Sequence, residues 1–246
     1  MQRFSRTRRL IGEEAFARLS AAHVTVIGLG AVGGYAVEGL ARAGIGRFTL
    51  VDFDVVQQTN INRQIWALES TIAKRKIDVA AQRVADINPA CRIDVRDLFV
   101  DADNIGSVLA EKPDAIVDAI DALNPKVQLL RAAHASGLPT FSSMGAALRT
   151  DPLKIRIDDL SRTDHCPLAK RIRKRLRKEG ITAGITCVYS LEPVRVEFSR
   201  SDMEDPAERT IDRGRTRNTL GSLPTITAIF GLTIANEIIQ LLGNPS

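Results

Sequence analysis

The chain has 246 residues, 44% of them hydrophobic, and a net charge of +5 from 34 Lys and Arg against 29 Asp and Glu. That apolar content is ample for a buried core, so an ordinary soluble globular protein is expected, one large domain or a domain with an appendage. The three cysteines (Cys91, Cys166, Cys187) form no C-x-x-C pair, which argues against a disulfide framework or a structural zinc site and points to a reduced, cytoplasmic setting.

In chain order, Met1 to Ala22 is Arg-rich and then carries Leu10, Ile11, Ala15, Phe16 and Leu19 at helical spacing. This predicts a helical arm that packs on the sheet or reaches a neighbouring subunit, with no secretory signal pattern. Short apolar or β-branched runs at 24–27, 47–52, 91–95, 114–118 and 139–143 alternate with helical patterns at 31–43, 71–86, 101–111 and 123–136. The alternation predicts a Rossmann-like, doubly wound α/β fold, a mainly parallel sheet with helices on both faces. Asn88-Pro89 and Gly137-Leu138-Pro139 fall where helices should stop.

After residue 144 the rhythm changes. A hairpin around Asp151-Pro152, a basic helix near 166–179, short strands near 186–198 and a polar loop or lid from Ser199 to Gly221 are expected. The C-terminal run 223–242 has nearly the length of a membrane span. Asn236, Glu237 and Gln240 would together cost several kcal/mol in hydrocarbon, so a buried helix is favoured over membrane contact. Residues 1–246 are read as a single domain: an arm (1–22), a core (23–145) and an extension (146–246).

The first strand ends in "VIGLGAVGG" (Val26 to Gly34). Gly28 and Gly30 let the backbone turn tightly and approach phosphate, Gly33 or Gly34 lets helix and strand pack closely, and the helix start supplies amide donors. Asp52, ending the second strand, can accept from ribose hydroxyls. To this point NAD and ATP are equally served. Downstream, Asn60 and Arg63 in "TNINRQ" and Lys76 on the next helix offer groups suited to a triphosphate and a leaving pyrophosphate. Asp121, just past the fourth strand, lies where a Mg2+ riding on phosphates would be held. Singly, Arg63 and Lys76 read as surface charges and Asp121 as a helix N-cap; their joint occurrence favours ATP.

These segments, with "VDFD" (Val51 to Asp54) and "DAID" (Asp118 to Asp121), resemble the ThiF/MoeB/HesA superfamily of ubiquitin-activating-like enzymes, which adenylate carboxylates with ATP. The resemblance runs from about residue 3 to residue 145. It implies that Asp52 binds ribose, with Asp54 in the same motif at the nucleotide. It further implies that Asn60 and Arg63 bind phosphates, that Lys76 binds phosphates and the transition state, and that Asp121 binds Mg2+. It also implies a homodimer in which an N-terminal Arg, here Arg6, reaches the partner subunit's ATP.

The second half resembles one branch of that superfamily, the tRNA threonylcarbamoyladenosine dehydratases, in "INPACRIDV", "CPLAK", "CVYSLE" and "GSLPTITAIFG". That branch implies adenylation of a threonylcarbamoyl carboxylate on tRNA, followed by ring closure and loss of AMP. The alternative is activation of the Gly-Gly terminus of a ubiquitin-like sulfur carrier, but such activators commonly carry two C-x-x-C pairs. In "KRIRKRLRK" (Lys170 to Lys178) seven of nine residues are basic. Ile172 and Leu176 can face the core while Arg171, Arg173, Lys174, Arg175, Arg177 and Lys178 crowd the rest. Composition alone favours a solvated face; the resemblance makes it a tRNA surface. The branch further implies a monovalent cation (K+ or Na+) and is compatible with a sulfur-relay partner from a cysteine desulfurase system. Cys187 reads as a buried small hydrophobe and His165 as weak evidence for an acid or base.

Overall fold

A computed structural model of the chain describes residues 2–194 and 220–244. The strands β1 (His23–Ile27), β2 (Arg47–Asp52), β3 (Arg92–Asp97), β4 (Ala115–Asp118), β5 (Thr140–Ser143), β6 (Ile155–Asp159) and β7 (Thr186–Ser190) form one sheet of order β3-β2-β1-β4-β5-β7-β6. All pairings are parallel except β6 against β7. β1 is buried along its whole length, as expected for a strand covered on both faces.

One face is covered by α3 (Gly33–Ala43), α4 (Lys76–Ile87) and α8 (Pro224–Gly243). Their side chains Val37, Leu40, Ile77, Phe230, Ile234 and Ile238 share a core with Val24, Val26, Phe48 and Leu50. The other face carries α5 (Ile105–Leu109) and α6 (Leu123–Ala135), whose Val108, Leu129 and Ala133 pack on Ile27, Val51 and Ile116. Against α6 lies α7 (Pro167–Arg177), burying Ala169, Ile172 and Leu176. α8 is long and apolar enough to cross a membrane, yet it lies against α3. Both approaches need glycine: a Cβ on Gly231 would sit 2.3 Å from the Val32 carbonyl oxygen, and one on Gly39 2.9 Å from Ala235 Cβ.

The arm is two helices, α1 (Ser5–Ile11) and α2 (Glu13–Ala21), broken at Gly12, whose φ of 86° is left-handed. Phe4 stacks near Phe16 with centroids 5.5 Å apart, and Arg3 donates to the carbonyls of Asp86 and Ile87 at the end of α4. The arm therefore docks at the edge of the sheet opposite the strands' carboxyl ends.

Three expectations need correction. No hairpin forms at Asp151-Pro152. Instead Asp151 caps a short 3-10 turn by accepting from Leu153 N at 2.9 Å, and β5 pairs with β7 rather than β6. The helix expected over 71–86 starts at Lys76, because Ala73 is left-handed (φ 66°) and Arg75 bridges to Val55 in extended form. The helix expected over 101–111 shrinks to α5. Asn104 and Asp101 spend their side chains on the backbone amides of Asp101 and Asp103, a local alternative to helix. The expected lid and the strand beyond residue 194 lie largely outside the described residues.

Candidate active site

β1 has β2 on one side and β4 on the other, so the chain leaves it toward opposite flanks and a crevice opens at its carboxyl end. The "VIGLGAVGG" turn lines that crevice. Gly28 has φ 90°, and a Cβ there would lie 2.7 Å from the Ala119 carbonyl oxygen; one on Gly33 would lie 1.8 Å from the Gly28 oxygen. Turn, helix start and the β4 exit are thus in backbone contact. Gly30 is different, since the nearest atom to a Cβ there is Gln64 Nε2 at 4.0 Å. That leaves room beside its backbone for a ligand.

Asp52 is buried and fully engaged: Oδ2 accepts from Leu29 N at 2.6 Å and Oδ1 from Asp54 N at 2.8 Å. It clamps the glycine turn to the end of β2. Burial pushes its carboxyl above the usual range, opposed by the nearby Lys76 ammonium. Asp54 is an ion-pair partner, with Oδ2 2.9 Å from Lys76 Nζ, while the Lys76 amide donates to the Asp54 carbonyl at 3.0 Å. The late start of α4 is what places Lys76 in its first turn, facing this edge.

Asn60 is buried and accepts from Gln57 N at 3.1 Å, holding a 3-10 turn, Gln58–Asn60. Arg63 is half-buried, its Nη1 donating to Thr59 O at 2.9 Å and Asn62 Oδ1 at 2.8 Å. The segment then runs over the glycine turn, bringing Ile65 and Trp66 within 3.0 Å of where a Gly34 Cβ would stand. Among the described residues, Gln64 Oε1 and Trp66 Nε1 are buried without a hydrogen-bond partner. Orphaned polar atoms beside an open backbone fit a nucleotide.

Asp121 is exposed just beyond β4, and the N-cap of α6 is Ala122, so Asp121 does not hold the N-cap position. Among the described residues no group of three or more His, Cys, Asp or Glu could hold a metal. One carboxylate still fits a Mg2+ that keeps its waters and takes its other ligands from substrate phosphates.

Behind Asp121 stands a network that sequence reasoning missed. Asp118 and Lys126 are fully buried with Nζ 2.8 Å from Oδ2. Ser142 Oγ donates to Asp118 Oδ2 at 2.7 Å, and Lys126 Nζ donates to the Ile120 carbonyl at 3.0 Å. The loop ending at Asp121 is pinned by this pair. The available signal was a lysine on an otherwise apolar helix stripe, Val127, Leu129 and Leu130, eight residues past an aspartate.

Other expected residues separate. Arg6 is exposed on α1, on an arm docked at the far edge of the sheet, so it does not join its own chain's crevice. On α7, Arg171, Lys174, Arg175 and Arg177 are exposed, as is Lys178 at its C-cap. Arg173 turns inward, donating to Thr163 O at 2.6 Å, and Arg175 donates to Asn124 Oδ1. Cys187 is buried and burial pushes its thiol far up, so it is a packing residue. His165 is left-handed (φ 52°), and among the described residues its side chain pairs with the neighbouring Asp164 at 3.3 Å.

The profile of the ThiF family matches residues 4–246. The chain belongs to the ThiF family. Among the relatives of this ThiF-family chain is the tRNA threonylcarbamoyladenosine dehydratase of Escherichia coli K12, 36% identical over 97% of this chain and 92% of the relative. The protein of the same name from Bacillus subtilis 168 is 41% identical over 78% of this chain and 76% of its own length. A crystal structure of the E. coli enzyme in complex with ATP superposes with a TM-score of 0.86 at 35% identity, covering 98% of this chain and 93% of that one. The likeness includes β6, β7 and α7, which distinguishes these relatives from a match limited to the ThiF nucleotide core.

Proposed function

We propose that this ThiF-family enzyme dehydrates threonylcarbamoyladenosine in tRNA with ATP as co-substrate, in a cytoplasmic setting. The observation that carries this is end-to-end similarity to dehydratases of that name, through both the nucleotide core and the extension, one of them solved with ATP.

In this reading the amides of the Gly28–Gly33 turn approach the phosphates, and Asp52, held in place by Leu29, faces the ribose. Asn60, Arg63 and Lys76 take the phosphate oxygens, Lys76 leaving Asp54 for them. The threonylcarbamoyl carboxylate attacks the α-phosphorus and pyrophosphate leaves. The two cations offset the charge that develops on the departing oxygens. A nucleophile of the same modified base then attacks the activated acyl carbon and expels AMP, so one water is lost overall. Asp121 would hold Mg2+, which supplies charge neutralisation on the phosphates when bound.

Arg6 would act on the partner subunit's ATP in a homodimer. Its place on an arm docked away from its own crevice supports that reading. Arg171, Lys174, Arg177 and Lys178 would meet the tRNA backbone, with Arg173 and Arg175 shaping that surface. Dependence on K+ or Na+ and on a sulfur-relay protein belongs to the same proposal. The test is to incubate threonylcarbamoylated tRNA with the enzyme and ATP, then weigh the modified nucleoside. The expected product is lighter by one water and appears with AMP; an unchanged nucleoside refutes the proposal.

A further inference from the structure

Among the described residues, three Lys or Arg side chains are almost completely buried: Lys126, Lys76 and Arg149, the last 2% exposed. The two lysines each face a carboxylate, Asp118 and Asp54. Arg149 has no carboxylate within ion-pair distance among the described residues. Its Nη2 donates to the His165 carbonyl at 3.0 Å and the Cys166 thiol lies beside it, but among the described residues Nε and Nη1 have no hydrogen-bond partner. A guanidinium does not give up its proton, so burial leaves a charge to be balanced.

Arg149 lines a cavity of about 660 Å³, bounded also by Thr150, Lys154, Glu192, Ser222 and Leu223. The cavity lies past the carboxyl ends of β5 and β7, on the edge of the sheet that carries the glycine turn. Its carboxylate, Glu192, accepts from Thr150 N at 2.8 Å, Thr150 Oγ1 at 2.9 Å and Asp151 N at 2.9 Å, and offsets part of the Arg149 charge from beyond ion-pair distance. Leu223 is the N-cap of α8 and provides no side-chain cap, so the helix dipole adds positive potential there. Leu148, just before the arginine, and His165, its acceptor, are both left-handed without being glycine (φ 60° and 52°).

We propose that this cavity is an oxyanion subsite that takes a backbone phosphate of the RNA substrate, bound by the unspent N–H donors of Arg149 with Lys154 as a second cation. This rests on the tRNA dehydratase reading. The Arg149 bond to His165, just before the N-cap of α7, joins the subsite to the basic helix. One track of phosphate contacts then runs from the exposed face of α7 into the cavity.

The test measures affinity for threonylcarbamoylated tRNA against salt concentration for the wild-type enzyme, Arg149→Met and Lys154→Ala, with ATP affinity in parallel. For Arg149→Met, affinity should fall about tenfold and the log–log salt slope should shrink by about one, with ATP affinity unchanged. Unchanged tRNA affinity and slope overturn the subsite. Lys154 is about half exposed and its loss should not prevent folding. If Arg149→Met does not fold, the Lys154→Ala slope decides in the same way. Melting in inorganic phosphate against chloride at equal ionic strength separates the sources. A phosphate stabilisation lost in Arg149→Met, with RNA affinity and slope unchanged, would mean a free-anion site and refute the RNA assignment. Failure of the wild-type enzyme to bind or dehydrate the tRNA would instead sink the functional reading on which this rests.

Discussion

At the scale of single residues, the crevice depends on groups that hold other groups. Asp52 grips Leu29, Asp54 grips Lys76, and Asp118 with Lys126 pins the loop that presents Asp121. Breaking one half of a buried pair leaves an uncompensated charge, so Lys126→Met should lower stability by about 3–5 kcal/mol, read by chemical denaturation. It should also depress adenylation beyond the loss of folded protein, because the Asp121 loop loses the Nζ bond to Ile120. Stability within error of wild type would contradict the pair's role. Cys187 makes the opposite case: with its thiol buried and its pKa raised, Cys187→Ala should keep turnover and cost about 1 kcal/mol of stability. Loss of turnover in a folded Cys187→Ala protein would reinstate the thiol as a catalytic group.

At the scale of elements, the glycines divide by what a Cβ would meet. Gly231→Ala pushes α8 against the Val32 carbonyl at the very start of α3. Overpacking of that kind costs about 1–3 kcal/mol and should also weaken ATP binding by moving the turn. Gly106 on α5 has nothing within 4 Å of a Cβ, so Gly106→Ala should stabilise the protein by about 0.5–1 kcal/mol. Thermal melts of the two variants shifting in the same direction would refute this division.

Most of the core elements were legible in the sequence for a physical reason. β1, β2, β4, α3 and α6 carry strong apolar periodicity, and Asn88-Pro89 and Gly137-Leu138-Pro139 mark firm stops. The start of α4 was not legible, because Ala73 and Arg75 have ordinary helical propensity and only the pairing of Arg75 with Val55 keeps them extended. The partner choice of β6 is set by pairing with β7, a contact between residues some thirty apart in the chain that local turn chemistry does not encode. Among site residues, those in short motifs could be found. Lys126, Gln64 and Arg149 acquire meaning only from burial.

At the scale of the whole molecule, Arg6 on the docked arm and the exposed basic side chains of α7 face outward. If Arg6 serves the partner's ATP, an equal mixture of Arg6→Ala and Lys76→Ala proteins, each inactive alone, should recover about a quarter of wild-type activity. Half of the dimers would be mixed, each with one intact site. No recovery after subunit exchange would remove Arg6 from the reaction. In the proposed reaction the activated carboxylate belongs to tRNA rather than to a protein tail, and ATP–pyrophosphate exchange reads that step directly. Exchange stimulated by threonylcarbamoylated tRNA, and not by unmodified tRNA or a Gly-Gly-ended carrier protein, is the expected result; exchange driven by the carrier protein alone would contradict it.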